Sequence, residues 1–204
     1  MNSFFESPPP PARRKLADAL RHILEYKDFN SITNAEIART AGVNEALIYR
    51  YFENKRGLLH QVLHDYMLVF QEQVETDLAE ISGAMNKLRQ LMQVQIRMYD
   101  SNRVLARILL LEVRNFPGYF ESETYQTVKV YARLVLAIIR EGVANGEIRD
   151  DIPPERIRDL FLGGIEHFCM APVIFGEEMV TDAKAEQLGS LLFGGIAKQR
   201  AAPV

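Results

Sequence analysis

The chain has 204 residues, 48% apolar and 25% charged, an ordinary globular composition with room for one full core or two smaller ones. No apolar run reaches the roughly 18 residues of a membrane span. The opening MNSFFESPPPPARRK lacks the basic-then-apolar order of a secretory leader, and the single cysteine, Cys169, excludes an intrachain disulfide framework and suits a reducing cytoplasm. The formal charge of −3 argues against a generally basic nucleic-acid binder. Residues 1–60 nevertheless carry nine Lys/Arg against seven Asp/Glu, and the remainder carries fifteen against twenty, so the positive share sits at the front. Any affinity for DNA must come from a few placed cations rather than from a basic field.

Residues 1–11 end in four prolines and read as an extended arm. Arg13, Arg14 and Lys15 follow, in a first helical turn whose dipole they oppose; a phosphate partner or plain solvation accounts for them equally well. Leu16, Leu20, Ile23 and Leu24 form the stripe of a first helix ending near Lys27, with Phe29 plugging inward from the loop after it. Thr33 and Glu36 then make a capping box, in which the threonine oxygen caps the Glu36 N–H and the carboxylate reaches back. Ile32 with Ile37 is the matching hydrophobic staple. Gly42 stops this helix, Asn44 caps the next, and Val43 with Ile48 repeats the staple. Small Ala38 allows the two helices to cross closely. This spacing suits a helix-turn-helix, whose second helix enters the DNA major groove; a helical hairpin without a DNA role is the plainer alternative.

From Asn54 a long helix runs past residue 75, with Leu58, Leu59, Val62, Leu63, Tyr66, Met67 and Phe70 apolar. After a break at Ser82-Gly83, helices are predicted over residues 84–99, 103–115, 122–145, 153–175 and 181–199. No alternating β-branched run suggests a sheet. The fold class is therefore all-α, about nine helices. An arm (1–11) precedes a three-helix helix-turn-helix head (12–58), and a larger helical body (59–204) follows.

Ile37-Ala38, Ala41-Gly42-Val43, Tyr49-x-Tyr51-Phe52, Lys55 and Leu58-Leu59, in this order and spacing, resemble the tetracycline-repressor (TetR) family of bacterial transcription regulators. The detailed match covers about residues 10–60; the rest agrees in length and helix order. The resemblance implies a homodimer that binds a double-stranded DNA operator and responds to a small-molecule effector. By that correspondence Thr33, Tyr49, Tyr51 and Lys55 contact phosphates, Lys55 clamping one from a helix start where a cation is otherwise misplaced. Core packing is the alternative for Tyr51. Asn44, Glu45, Ala46 and Leu47 open the recognition helix. Many relatives carry a basic or neutral polar residue where Glu45 stands, although a carboxylate can accept from cytosine N4 and Ala46 or Leu47 can meet a thymine methyl. Arg50 is the remaining cation of that helix.

The resemblance also places an effector pocket among the middle helices. Met85, Met92, Ile96 and Tyr99 follow helical spacing, Ile108, Leu109 and Glu112 stand on the next helix, and Phe116, Tyr119, Phe120 and Tyr125 cluster around Pro117. Methionine and aromatic side chains make adaptable apolar cavities, so an apolar or aromatic ligand is expected, with Glu112 or Arg114 available to orient a polar group. Ordinary core is the alternative for each. The dimer interface is expected on the last two helices, through Leu160, Gly164, Phe168, Ala171 and Phe175 on one and Leu188, Leu192, Gly195 and Ile196 on the other, pairing into a four-helix bundle. Such a dimer sets two recognition helices roughly 34–36 Å apart for a palindromic operator.

No catalytic constellation, cofactor or metal is called for. His60 and His64 have i, i+4 spacing without a third recognisable ligand, and His167 and Cys169 point to different helix faces. The expected function is a ligand-responsive, cytoplasmic DNA-binding regulator, a repressor released by an apolar or aromatic ligand and not an enzyme. The alternative is a helical protein-interaction or redox-sensing module, the latter through Cys169.

Overall fold

The computed structural model describes residues 10–178 and 182–198, with side chains in the second span from residue 185 on. Of the arm, residues 1–9 lie outside the described residues, and only its last two prolines, Pro10 and Pro11, are described. Among these residues the long elements are nine α-helices: α1 (Pro11–Leu24), α2 (Asn34–Ala41), α3 (Ala46–Phe52), α4 (Lys55–Leu78), α5 (Ala84–Ser101), α6 (Arg103–Arg107), α7 (Glu123–Ala144), α8 (Pro154–Phe175) and α9 (Asp182–Ile196). The chain falls into two compact units that divide between Asp65 and Tyr66, and α4 is continuous through that point.

In the first unit, α1 ends at Leu24, one turn before the expected Lys27, and Phe29 is buried on a single 3₁₀ turn. The Thr33 side chain accepts the Glu36 N–H at 3.1 Å, as the capping box requires. The return half of the box is not formed. The Glu36 carboxylate instead takes the Lys27 ammonium at 2.7 Å, and that hydrogen bond holds Glu36 below the usual carboxylate range. A charged donor competes better for a carboxylate than a backbone amide does. Gly42 ends α2 with φ +65°, and Val43 N–H closes onto the Ala38 carbonyl at 3.0 Å. Asn44 Oδ1 accepts the Ala46 N–H at 2.8 Å, so the predicted cap of α3 forms. Leu16, Leu20, Ile23, Ile37, Ile48, Leu58 and Leu59 are fully buried and make this unit's core.

At the α3–α4 turn, Asn54 Oδ1 caps α4 through the N–H groups of Arg56 and Gly57, at 2.8 and 3.0 Å. A Cβ on Gly57 would lie 2.0 Å from the Phe52 carbonyl oxygen, so this turn can be so tight only with glycine there.

The second unit packs α5, α7, α8 and α9 around Leu88, Leu91, Val135, Ile139, Phe161 and Ile165. A Cβ on Gly142 would meet the Ala84 Cβ at 2.7 Å, which fixes how closely α7 passes the start of α5. The Glu147 carboxylate caps that start, accepting from the N–H groups of Ala84 and Met85, both at 3.1 Å. The segment predicted as one helix over 103–115 is three. α6 ends at Arg107, a π-helical turn covers Ile108–Glu112, and a 3₁₀ turn covers Val113–Asn115. Apolar spacing does not distinguish these windings, because a π insertion shifts register by one residue without changing residue type.

Candidate functional site

Two sites assemble, one in each unit. In the first unit, Ile32, Thr33, Asn34, Tyr49, Asn54, Lys55 and Arg56 line an open notch of about 520 Å³. Tyr49 is 55% exposed, and its phenol oxygen accepts the Asn34 amide at 2.9 Å, which leaves the hydroxyl hydrogen to donate outward. Asn34 had no assigned role in the sequence; only its place one residue after the cap pointed to it. Thr33 and Arg56 are exposed at the rim. Neutral donors and cations around one concavity are what a phosphate oxygen requires.

Lys55 departs from the simple clamp. Its ammonium donates to the Phe29 carbonyl at 2.9 Å and the Ile32 carbonyl at 2.6 Å, and lies 4.5 Å from the Phe29 ring centre. Burial and then the neighbouring Arg56 charge pull its pKa below the usual lysine value. The cation at the start of α4 is thus met by two loop carbonyls of its own chain, with at most one N–H left for an anion. Tyr51 is half-buried with its ring edge-on to Phe52 at 6.3 Å, and the Arg50 guanidinium sits 5.8 Å over the Tyr51 ring. On α3 the buried face is Ile48 and Phe52. Asn44, Ala46, Tyr49 and Arg50 are exposed, while Glu45 and Leu47 are half-buried. The exposed face of α3 therefore carries a cation at its end, and the half-buried Glu45 carboxylate stands just before its start.

In the second unit a partly open cavity of about 50 Å³ lies among α4, α5, the π turn, α7 and α8, with Met67, Phe70, Met98, Leu109, Leu110 and Leu162 among its apolar walls. Gln95, Tyr99 and Tyr131 form its polar side, all buried: Gln95 Nε2 donates to the Tyr99 hydroxyl oxygen at 3.0 Å, and the Tyr131 hydroxyl donates to Gln95 Oε1 at 3.0 Å. Arg114 and Glu166 close the cavity as an ion pair at 2.8 Å. Of the expected pocket residues only Tyr99 and Leu109 line it. Met85, Met92 and Ile96 line a separate groove of about 910 Å³ between α5 and α9. Ile108 is buried away from both, Glu112 pairs with Arg107 at 3.7 Å, and Phe116 is half-buried. Tyr119, Phe120 and Tyr125 do cluster, with ring centres 5.1–5.5 Å apart, but Phe120 is 64% exposed. Met67 and Phe70 were read only as the apolar side of α4, and Tyr131 on α7 had no assigned role.

The last two helices present apolar surface: Leu160, Phe175 and Leu191 are 56%, 74% and 79% exposed. Gly164, Phe168, Ala171 and Leu188 are half-buried, and Gly195 is exposed. Leu192 and Ile196, expected at an interface, are instead buried within the chain, Leu192 so near Gly164 that a Cβ there would meet it at 3.4 Å. The outward phase of α9 passes through Leu191, Gly194 and Gly195. Cys169 is fully buried on α8, and burial pushes its thiol up to about 12, so it holds essentially no thiolate at neutral pH. No helix among the described residues is long and apolar enough to cross a membrane, and none of their His, Cys, Asp and Glu residues gather in threes fit for a metal.

The profile of bacterial regulatory proteins of the tetR family matches residues 16–62, and that of the YsiA-like protein C-terminal region matches residues 63–195. The fatty acid metabolism regulator protein of Bacillus subtilis is 25% identical over 186 residues, 91% of this chain and 96% of its own. Two solved structures share the fold. One is the transcriptional regulator FadR from Bacillus subtilis in complex with stearoyl-CoA, with TM-score 0.80, 24% identity, and 90% and 98% of the two chains covered. The other is the fatty acid degradation regulator FadR from Bacillus halodurans, with TM-score 0.81, 22% identity, and 93% and 98% covered. Profiles that together span the head and the body, over the notch and the cavity just described, place this chain in the TetR family of bacterial regulatory proteins, as a transcriptional regulator.

Proposed function

We propose that this chain is a cytoplasmic, homodimeric repressor that leaves its operator when a long-chain acyl-CoA enters the body, acting by binding and not by catalysis. The observation that carries the reading is the course of α4. The helix starts at Lys55 in the phosphate notch and, without interruption, supplies Met67 and Phe70 to the wall of the body cavity. The cavity holds about 50 Å³, far less than an acyl chain needs, so a ligand enters only by displacing those walls. A ligand that binds the widened form better shifts the population toward it, and α4 carries the change to the head. The acyl-CoA class rests on the name of the Bacillus subtilis relative and on the stearoyl-CoA bound by the FadR that shares the fold.

Within the head, Thr33, Tyr49, Arg56 and the remaining N–H of Lys55 would take phosphates, with Asn34 aiming Tyr49. Glu45, Ala46, Leu47 and Arg50 would meet base edges or the flanking backbone. The dimer would form through the exposed faces of α8 and α9. Sequencing the DNA fragments that the protein selects from a random pool tests the reading. A palindrome with half-sites one helical turn apart is expected, bound more weakly as salt rises; fragments without a common sequence, or salt-insensitive binding, would contradict it.

A further inference from the structure

The buried trio Gln95, Tyr99 and Tyr131 contains more hydrogen-bond donors than its own acceptors use. Gln95 Nε2 donates to the Tyr99 oxygen, and Tyr131 donates to Gln95 Oε1. This leaves the Tyr99 hydroxyl hydrogen without an acceptor among the described residues. Turning the Gln95 amide around only moves the surplus: Tyr99 then donates to Oε1, and the hydrogen left over is that of Tyr131. Either way, one phenol hydrogen lies against a cavity whose other walls are mostly apolar. Burial pushes both phenols well above their usual range, so both keep their protons at physiological pH. The two charged groups on the wall, Arg114 and Glu166, pair with each other at 2.8 Å, so neither sign is in excess there. The cavity therefore offers a neutral donor and no uncompensated charge. A guest carboxylate would be buried there as an unpaired anion, at high cost, whereas a neutral acceptor completes the network.

We infer that Gln95, Tyr99 and Tyr131 are the specificity-determining residues of the effector site, and that they select a neutral carbonyl oxygen: the thioester carbonyl of an acyl-CoA rather than the carboxylate of a free fatty acid. This inference rests on the acyl-CoA reading above and adds which atom of the ligand is recognised. The space beside Tyr99 is about 50 Å³, of the right order for one carbonyl group, while the chain it belongs to must part Met67, Met98 and Leu109.

Calorimetric titration of the full-length protein with three probes tests this: stearoyl-CoA, stearate, and S-octadecyl-CoA, a thioether in which a methylene replaces the carbonyl. The wild type is expected to bind stearoyl-CoA about three- to tenfold more tightly than the thioether, and stearate more weakly than stearoyl-CoA. Tyr99→Phe and Tyr131→Phe each remove one donor and are expected to bring stearoyl-CoA affinity down to that of the thioether, so that the two CoA compounds bind alike. Helicity and a thermal midpoint at the wild-type level show that such a variant is folded. Equal wild-type affinity for thioester and thioether, or parallel loss of both in the variants, overturns the carbonyl assignment and leaves the acyl-CoA response standing. Failure of the wild type to bind either CoA compound overturns the acyl-CoA reading, and this inference with it.

Discussion

Two carbonyl oxygens, those of Phe29 and Ile32, hold the ammonium that the start of α4 would otherwise present to solvent. Lys55 thereby ties the loop before α2 to the helix that leaves the head, and its role as a phosphate ligand becomes secondary to positioning. Lys55→Met is expected to destabilise the head by about 1–3 kcal/mol, because two carbonyls lose a charged donor. Hydrogen exchange of residues 29–33 would show it; loss of DNA affinity with unchanged protection there would make Lys55 a phosphate contact only. The motif identified this lysine, but its partners are main-chain atoms, which no side-chain pattern encodes. Glu36 teaches the same lesson, since the sequence shows the box but not that Lys27 is close enough to claim the carboxylate. Cys169 gives the residue scale its pH dependence. An exposed thiol titrates near 9.0 and this one near 12, so ionisation favours the unfolded chain across that window. The stabilisation is whole below about pH 9 and is lost as pH rises toward 12. At neutral pH, thiol reagents should label Cys169 only as fast as the fold opens; labelling at the rate of a free thiol would revive a redox role.

Elements that rest on local chemistry were legible, and those set by register were not. Caps and stops at Thr33, Gly42 and Asn44 mark helix ends through groups that act within a few residues. The winding of residues 103–115 depends on which residues the surrounding helices leave room for, and the phase of α9 depends on Gly164 receiving Leu192. The π turn interrupts the regular ladder where Leu109 and Leu110 face the cavity. Its amides are expected to exchange faster than those of α5 and to gain protection when stearoyl-CoA is added. Unchanged exchange at 108–112 on saturation would remove this segment from the ligand site. The exposed apolar faces of α8 and α9 make a second prediction at this scale. Leu191→Glu is expected to turn a dimer into a monomer in sedimentation, without loss of helicity, because it sets a charge into a surface of Leu160, Phe175 and Leu191. A dimer that survives the substitution would place the interface elsewhere.

For the whole molecule, the two sites share one continuous helix. The notch residue Lys55 and the cavity residues Met67 and Phe70 all stand on α4, so a change in cavity volume and a change at the head can be one event. The head's helix-turn-helix was legible because its caps and stop act within a few residues, while the body's cavity had to be found in space, since its polar side brings together α5 and α7 through Gln95, Tyr99 and Tyr131. The measurement that bears most directly on this account is the fluorescence anisotropy of the selected operator fragment, bound to the protein and titrated with stearoyl-CoA. The account predicts release of the DNA as the ligand saturates, with S-octadecyl-CoA needing a higher concentration for the same effect. An operator complex that stays intact while calorimetry shows stearoyl-CoA bound would contradict the coupling through α4.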